Sequence, residues 1–290
     1  MSFASEIILF IFGLAIGSFL NVVALRYDGD HFVFSSRLIG GRSHCPHCQN
    51  TLQWFELIPV ISFVIQGARC RNCKARIGWQ YPAVELLSGI IFAAVPFRLT
   101  FISALVAQPT LFLWFSALWI FAFEMLLLIA YIDILLNIIP DELNLALGAV
   151  GIIVTILAAQ SLGAMNLSFL APYSIIFGLQ SNVWMSHLIG ALFGGAFFGG
   201  LVAITRGRGM GIGDIKLAVP LGLLFGWPDI LVITMLAFII GGILGLALIS
   251  SHKKSMKSTL PFGPFIVLGT AIVFFAGSGL FTWYFHMLGL

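Results

Sequence analysis

The stretch Gly209-Met210-Gly211-Ile212-Gly213-Asp214-Ile215-Lys216 places a carboxylate at the start of an apolar block, where a charge is costly. The glycines around Asp214 remove side-chain bulk and permit backbone conformations that are closed to other residues. They also allow another helix to approach closely. An aspartate in this setting needs either a stabilising partner or a function.

The whole chain is far more apolar than a soluble protein. Hydrophobic residues make up 60% of its 290 residues and charged residues 9%, against about 45–50% and about 25% in soluble domains, and the mean hydropathy is +1.08. Because about 20 apolar residues span a bilayer, we predict an all-α polytopic membrane protein with about eight transmembrane helices. The first block is long for a signal peptide and lacks a basic start, so we interpret it as a retained span. The apolar blocks run roughly over 5–25, 82–98, 110–132, 139–160, 184–206, 212–227, 229–250 and 262–286.

Basic residues are concentrated in three loops, which predicts the orientation of the chain. Twelve of the fourteen Lys and Arg lie within 26–76, 206–208 and 253–257. Under the positive-inside rule these loops are cytoplasmic, and eight spans with an outer N-terminus place all three on that side. The segment 161–183, with an apolar patch at 169–179, then forms an outer loop. No basic run is typical of nucleic-acid binding, so the expected partner surface is the lipid bilayer.

All four cysteines lie in the long polar segment between the first and second blocks. They form two Cys-x-x-Cys pairs, Cys45 with Cys48 and Cys70 with Cys73, with 21 residues between the pairs. This spacing suits a tetrahedral zinc site, since each tight turn supplies two thiolates. The alternative is disulfide bonding, which is rare in the reducing cytoplasm predicted for this loop.

A site closed by four thiolates leaves no position for water, so we predict a structural Zn²⁺ and not a catalytic one. His44 and His47 are then solvated residues and not ligands. The predicted domains are the first transmembrane helix (1–25), a cytoplasmic zinc-ribbon-like module with four cysteine ligands (26–81) and a seven-helix membrane core (82–290).

Two aspartates share one depth in this topology although they are 81 positions apart. Asp133 ends the third block and Asp214 begins the sixth, both on the cytoplasmic side. Two carboxylates a few ångströms apart do not both ionise comfortably, so a facing pair can act as base and acid in peptide hydrolysis. Alternatively, each aspartate caps a helix end or pairs with a basic neighbour, as the helix dipole favours for Asp214. The residues alone leave both interpretations open.

Other polar residues at membrane depth have more ordinary explanations, and their roles stay open. Asp141 suits a helix N-cap, and Lys216 suits a side chain that snorkels to the interface. Glu124 lies deep in the third block and is expected to be hydrogen-bonded or protonated. Glu85 suits an acidic residue in the first turn of the second transmembrane helix. Asn21 either bridges helices or lines a cavity.

Six short motifs follow one another along the chain. They are Gly17 to Val23, the two cysteine pairs, Tyr81 to Leu86, Asp133 to Asp141 with its terminal Pro-Asp, Gly211 to Lys216, and Pro261 to Phe265. Together they resemble the bacterial type IV prepilin leader peptidases, the bifunctional peptidases and N-methyltransferases of pilus and type II secretion systems. The resemblance covers essentially the whole chain. Matched residue by residue, it implies that Asp133 and Asp214 are the catalytic pair of a GxGD aspartyl protease.

The resemblance also implies a substrate, a location and a methyl donor. Enzymes of this family lie in the bacterial inner membrane and cleave the basic leader of type IV prepilins or pseudopilins after a glycine at the cytoplasmic face. They then methylate the new N-terminus with S-adenosylmethionine, an activity implied by the family and by the cysteine module that peptidase-only relatives lack. The alternatives are a peptidase without methyltransferase activity, and a zinc-ribbon membrane scaffold or transporter whose aspartates handle protons or ions.

Overall fold

The computed structural model describes residues 3–161, 168–170, 173, 182–207, 210–251 and 260–287. The described residues are mostly helical and form no β-strand beyond two isolated bridges, so the predicted all-α fold is confirmed. They divide into two compact units, Met1–Leu128 and Ile129–Leu290. Most of the predicted outer loop with its apolar patch lies outside the described residues, as do Arg208, Gly209, Lys253, Lys254 and Lys257.

The first unit contains two long helices with the cysteine-bearing segment between them. α1 packs along α4. The helices are α1 (Phe3–Arg26), α2 (Ser36–Ile39), α3 (Ile61–Ile65), α4 (Gln80–Leu99), α5 (Ser103–Val106) and the start of α6 (Pro109–Leu136), with a 3-10 turn at Trp54–Leu57.

A buried hydroxyl connects three helices of this unit. The Ser88 hydroxyl lies 2.7 Å from the Gly13 carbonyl oxygen and 3.0 Å from Glu124 Oε1. Because polar groups in an apolar interior need hydrogen-bond partners, these contacts stabilise α1, α4 and α6 against one another. They also confirm the expected hydrogen bond of Glu124.

The second unit is a bundle that surrounds one short helix. α9 packs against α7, α8 and α10, and α11 packs against α10. The helices are the end of α6, α7 (Asp141–Ser161), α8 (Val183–Thr205), α9 (Ile212–Phe225), α10 (Asp229–Ser250) and α11 (Gly263–Met287).

Seven of the eight predicted apolar blocks form helices long and apolar enough to cross a membrane, namely α1, α4, α6, α7, α8, α10 and α11. The remaining block, 212–227, forms α9, which has 14 residues. At about 1.5 Å per residue α9 is about 21 Å long, shorter than a hydrocarbon core of about 30 Å. Leu217, Leu221 and Leu224 are buried along it, so α9 is a core helix of the second unit. Its apolar sequence reflects protein neighbours on most sides.

Glycines allow α8 and α9 to approach closely. A Cβ at Gly190 would lie 2.6 Å from the Gly222 carbonyl oxygen, too near for any other residue without movement. Small residues at a crossing let two backbones pack tightly, which is a common basis of helix association in membranes. Close by, His187, for which the sequence indicated no partner, donates from Nδ1 to the Leu223 carbonyl oxygen at 2.6 Å.

Candidate functional site

Asp133 lies in the last turn of α6 and is buried, with 5% exposure. α6 ends after Leu136, where Asn137 adopts a left-handed conformation with φ 55°. The Asn137 N–H donates to the Asp133 carbonyl oxygen at 2.8 Å, as is usual where a left-handed residue closes a helix. The backbone of Asp133 is therefore fixed by the end of its own helix.

A distant glycine holds the Asp133 carboxylate. The Gly263 N–H donates to Asp133 Oδ2 at 2.9 Å. Gly263 is the first residue of α11, whose N-terminal end also favours a negative charge. A Cβ at this position would lie 2.7 Å from the same oxygen, so any larger residue would have to displace the carboxylate or the start of α11. The motif around Gly263 was visible in the sequence, but this contact was not predicted.

Asp214 is the third residue of α9 and is buried, with 6% exposure. Its Oδ2 accepts a hydrogen bond from the Gly211 N–H at 3.1 Å, which is the side-chain half of a helix capping box. The preceding Gly213 lies against Ile139, where a Cβ would be 3.3 Å from the Ile139 side chain. The capping interpretation of Asp214 is therefore realised, and it holds the carboxylate in one orientation.

Both aspartates belong to the second unit, and their carboxylates are near enough to interact electrostatically. Two like-charged groups that share a buried region tend to retain one proton between them. Such a pair offers a base and an acid at once. The structure thus places the buried carboxylates of Asp133 and Asp214 in the same unit. Their catalytic role stays a prediction.

An ion pair links the starts of α7 and α9. Lys216 Nζ lies 2.7 and 2.8 Å from the two carboxylate oxygens of Asp141, and both side chains are well exposed. The sequence suggested separate roles for these residues, a snorkelling Lys216 and a capping Asp141. Instead they contact each other across 75 positions of the chain. Because Lys216 follows Asp214 by two residues, the pair ties the segment that carries Asp214 to α7.

The four predicted metal ligands, Cys45, Cys48, Cys70 and Cys73, meet in one cluster of the first unit. Their sulfur atoms all lie within 4.8 Å of one another, and all four are free thiols. The Cys45 and Cys73 sulfurs are 3.9 Å apart, far beyond a disulfide bond of about 2.05 Å. Four sulfurs at about 2.3 Å from a tetrahedral zinc would be separated by about 3.8 Å. The cluster therefore fits one metal ion and not a pair of disulfides.

The cluster is built from two copies of one turn, offset by 25 residues. The Cys45 N–H donates to the Asn50 carbonyl at 3.0 Å, and the Cys70 N–H donates to the Ala75 carbonyl at 2.9 Å. Isolated bridges flank the turns, His44 with Thr51 and Arg69 with Arg76. The sequence analysis predicted no repeat. The signal for it was that Cys70 and Cys73 each follow their counterparts, Cys45 and Cys48, by 25 residues.

The two histidines beside the first pair of cysteines are exposed and stand outside the cluster of four possible ligands. They are His44 and His47. This placement agrees with their prediction as solvated residues.

Two family models match separate parts of the chain. "Bacterial Peptidase A24 N-terminal domain" matches residues 11–99, which include most of α1, the cysteine cluster and α4. "Type IV leader peptidase family" matches residues 120–246, which include Asp133 and Asp214.

Curated relatives with the name "Prepilin leader peptidase/N-methyltransferase" match nearly end to end. The Bacillus subtilis protein is 31% identical over 97% of this chain and 98% of its own length. Those of Aeromonas hydrophila and Pseudomonas aeruginosa are each 28% identical over 96% of this chain and 92% of their own length. No solved structure is significantly similar to the chain. On these matches, the chain belongs to the type IV prepilin leader peptidase family.

Proposed function

We propose that this protein is a prepilin leader peptidase and N-methyltransferase of the bacterial cytoplasmic membrane. The names and near-complete coverage of its relatives support both activities. The observation that carries the peptidase activity is that Asp133 and Asp214 are both buried in one unit, each with its carboxylate held by a glycine N–H. Both lie within the segment that matches the peptidase family model.

In the proposed reaction the two aspartates divide the proton transfers of amide hydrolysis. The ionised carboxylate takes a proton from a water molecule, whose oxygen attacks the carbonyl carbon of the scissile bond, while the protonated carboxyl group donates to the carbonyl oxygen. The first carboxyl group then gives its proton to the leaving nitrogen as the C–N bond breaks, and one hydroxyl of the tetrahedral intermediate returns a proton to the second carboxylate. The products are the leader, with a new carboxyl end, and the shortened pilin, with a new amino end.

The backbone donors keep this pair in place. The Gly263 N–H holds Oδ2 of Asp133, and the Gly211 N–H holds Oδ2 of Asp214. The opposite oxygen of each carboxylate is then the one that handles water and substrate. Burial strengthens the electrostatic interactions made with the reacting groups. Glu142 at the start of α7 adds negative charge that attracts a basic leader, whereas the charge of Asp141 is balanced by Lys216.

The cysteine cluster is proposed to hold Zn²⁺ through Cys45, Cys48, Cys70 and Cys73. With four thiolate ligands the ion stabilises the fold of its own module and leaves no position for a reacting water. S-adenosylmethionine supplies the methyl group, which bonds to the new N-terminal nitrogen while the sulfur keeps the electron pair of the broken bond and the amine releases a proton.

Asparagine substitution at each aspartate tests the peptidase proposal. Asp133→Asn and Asp214→Asn each remove a proton-transfer group with little change in shape, so we expect prepilin cleavage to fall at least about 10³-fold. Cleavage is followed by the mass shift of the pilin in proteoliposomes. Asp30→Asn, at an exposed aspartate of the first unit, serves as the control and leaves cleavage unchanged. Normal cleavage by either active-site variant would contradict the proposal and favour a proton or ion transporter.

Methyl transfer is tested separately. Wild-type protein incubated with a processed pilin and radiolabelled S-adenosylmethionine should transfer label to the pilin N-terminus. If label is not transferred by protein that cleaves normally, the chain is a peptidase alone.

A further inference from the structure

A cavity of about 460 Å³ lies within the first unit, bounded by the end of α1, the cysteine-bearing segment and the start of α4. Its volume falls within the range of about 300–1,000 Å³ that is usual for small-molecule sites. Its wall includes Cys45 and Cys70 of the metal cluster, and neither Asp133 nor Asp214 lines it. The cavity is therefore separate from the proposed peptidase pair.

Asn21 lines this cavity and carries a hydrogen-bond acceptor that no protein group uses. The side chain is 2% exposed and lines the wall. Its Nδ2 donates to the Tyr81 carbonyl oxygen at 3.1 Å, which sets the orientation of the amide because a carbonyl needs a donor. The remaining atom, Oδ1, is buried and makes no hydrogen bond. A buried acceptor without a donor is unfavourable, and a bound molecule that donates to Oδ1 would satisfy it.

Carboxylates and guanidinium groups give the wall charges of both signs. Glu56 and Glu85 line the cavity together with Arg26 and Arg76. Arg26 already donates to backbone carbonyls. One oxygen of each carboxylate is already engaged, by the Gln53 N–H at 2.9 Å and by the Val60 N–H at 2.7 Å. The second oxygen of Glu56 is available to a ligand, whereas Glu85 also accepts a hydrogen bond from the Ser18 hydroxyl. This charge set suits a molecule that carries positive groups and a carboxylate.

A strained turn stands beside the same wall. Val60 has φ 60° and ψ −48°, a conformation that is unfavourable for a β-branched side chain. The Ile61 N–H donates to the Pro59 carbonyl across it, which makes it a γ-turn of the rare, strained kind. Glu85 reaches from α4 to hold its N–H. Strained backbone of this sort concentrates at ligand sites.

We propose that this cavity binds S-adenosylmethionine. Asn21 Oδ1 accepts a hydrogen bond from an amino or hydroxyl group of the ligand, Glu56 and Glu85 face its ammonium and sulfonium charges, and Arg76 faces its carboxylate. Phe63 and Tyr81, which also line the cavity, offer aromatic surface to the adenine ring. This assignment rests on the proposed methyltransferase function and adds the residues that hold the methyl donor.

Binding measured without pilin tests the assignment independently of both enzyme activities. Full-length protein in nanodiscs is dialysed to equilibrium against radiolabelled S-adenosylmethionine. Asn21→Leu keeps the branched shape of the side chain but is larger, and it removes the acceptor together with the donor to Tyr81, so we expect the dissociation constant to rise about tenfold. Glu56→Gln removes one charge and should weaken binding by a similar factor.

Asn144→Leu is the matched control for Asn21→Leu. Asn144 is also buried, and neither the oxygen nor the nitrogen of its side chain makes a hydrogen bond, but it lies in the second unit. This variant should bind as the wild type does. Metal content and the thermal unfolding midpoint of each variant show whether the first unit is still folded.

Photolabelling of the wild type gives a result that needs no variant. An azidoadenine analogue of S-adenosylmethionine should label peptides within 18–26, 43–70 or 75–85, and unlabelled ligand should compete. Labelling confined to other peptides, or equal affinity of wild type, Asn21→Leu and Glu56→Gln, would overturn the cavity assignment. Wild-type protein that neither cleaves nor methylates pilin would overturn the proposed function instead, so the two failures are distinguishable.

Discussion

Asp133 depends on a residue 130 positions further along the chain for the orientation of its carboxylate. Because a Cβ at Gly263 would lie 2.7 Å from Asp133 Oδ2, Gly263→Ala must push the carboxylate or the start of α11 aside. A displacement of about 1 Å at a reacting group typically lowers the rate about 100-fold. We expect Gly263→Ala to lower the kcat of prepilin cleavage by about 10- to 100-fold, measured by mass spectrometry of the product.

Gly279→Ala is the control for that experiment, because Gly279 lies in the same helix and a Cβ there would meet no atom within 4 Å. It adds the same methyl group without the clash and should cleave at the wild-type rate. Equal rates for the two variants would show that the Gly263 contact does not position Asp133.

The ion pair of Lys216 with Asp141 is expected to act on the position of Asp214 more than on overall stability. Both side chains are well exposed, and such pairs contribute about 0.2–1 kcal/mol. Lys216→Asp and Asp141→Lys should each lower kcat/KM of cleavage about twofold to fivefold. The double variant, which restores the pair in reverse, should recover most of the loss. Additive losses in the double variant would mean that the two residues act independently.

At the level of single residues, the sequence identified the groups but not their contacts. Asp133 and Asp214 were found because charge is rare in apolar blocks and because loop charges set their depth. The Gly263 contact was not predictable, because almost every residue has a backbone N–H and the sequence does not indicate which one donates to Asp133. The pairing of Lys216 with Asp141 was missed for a related reason: each residue had a sufficient local explanation, and only the folded chain brings them together.

Among the helices, α9 packs its apolar side chains mainly against other helices. Its 14 residues are surrounded by α7, α8 and α10. A Cβ at Gly222 would overlap the Gly190 carbonyl of α8. Gly222→Ala should therefore force these helices apart and lower the free energy of unfolding by about 1–3 kcal/mol. Gly200→Ala in α8, where a Cβ meets no atom within 4 Å, should not lower it. Thermal unfolding in detergent measures both, and equal midpoints would contradict close packing at Gly222.

The long helices were predictable as elements because each is an uninterrupted apolar block. The block 212–227 was correctly predicted as a helix, and hydropathy alone did not indicate that this helix is shorter than the other seven. The cysteine segment was predicted as a small module, and it lies with α1 and α4 in one compact unit. Its repeated turn was missed because helix and strand periodicities do not register a 25-residue repeat that occurs only twice.

At the scale of the whole molecule, the proposed activities belong to different units. The cysteine cluster and the cavity with Asn21 lie in Met1–Leu128, and Asp133 and Asp214 lie in Ile129–Leu290. Each unit has its own packed helices. Loss of structure around the metal should therefore impair the proposed binding of the methyl donor more than it changes the positions of the two aspartates.

Metal removal tests whether the two proposed activities depend on different units. Without an ion, four close thiols have no bond that holds the two turns together, and small metal modules commonly unfold when they lose their metal. We expect chelation, or Cys70→Ser, to abolish methyl transfer and binding of S-adenosylmethionine, because Cys45 and Cys70 form part of the cavity wall. Cleavage should retain most of its rate, because the residues that position Asp133 and Asp214 all belong to the second unit. Readdition of Zn²⁺ should restore methyl transfer to the chelated protein but not to Cys70→Ser. A parallel loss of cleavage and methyl transfer during titration with chelator would show instead that the metal module supports both activities.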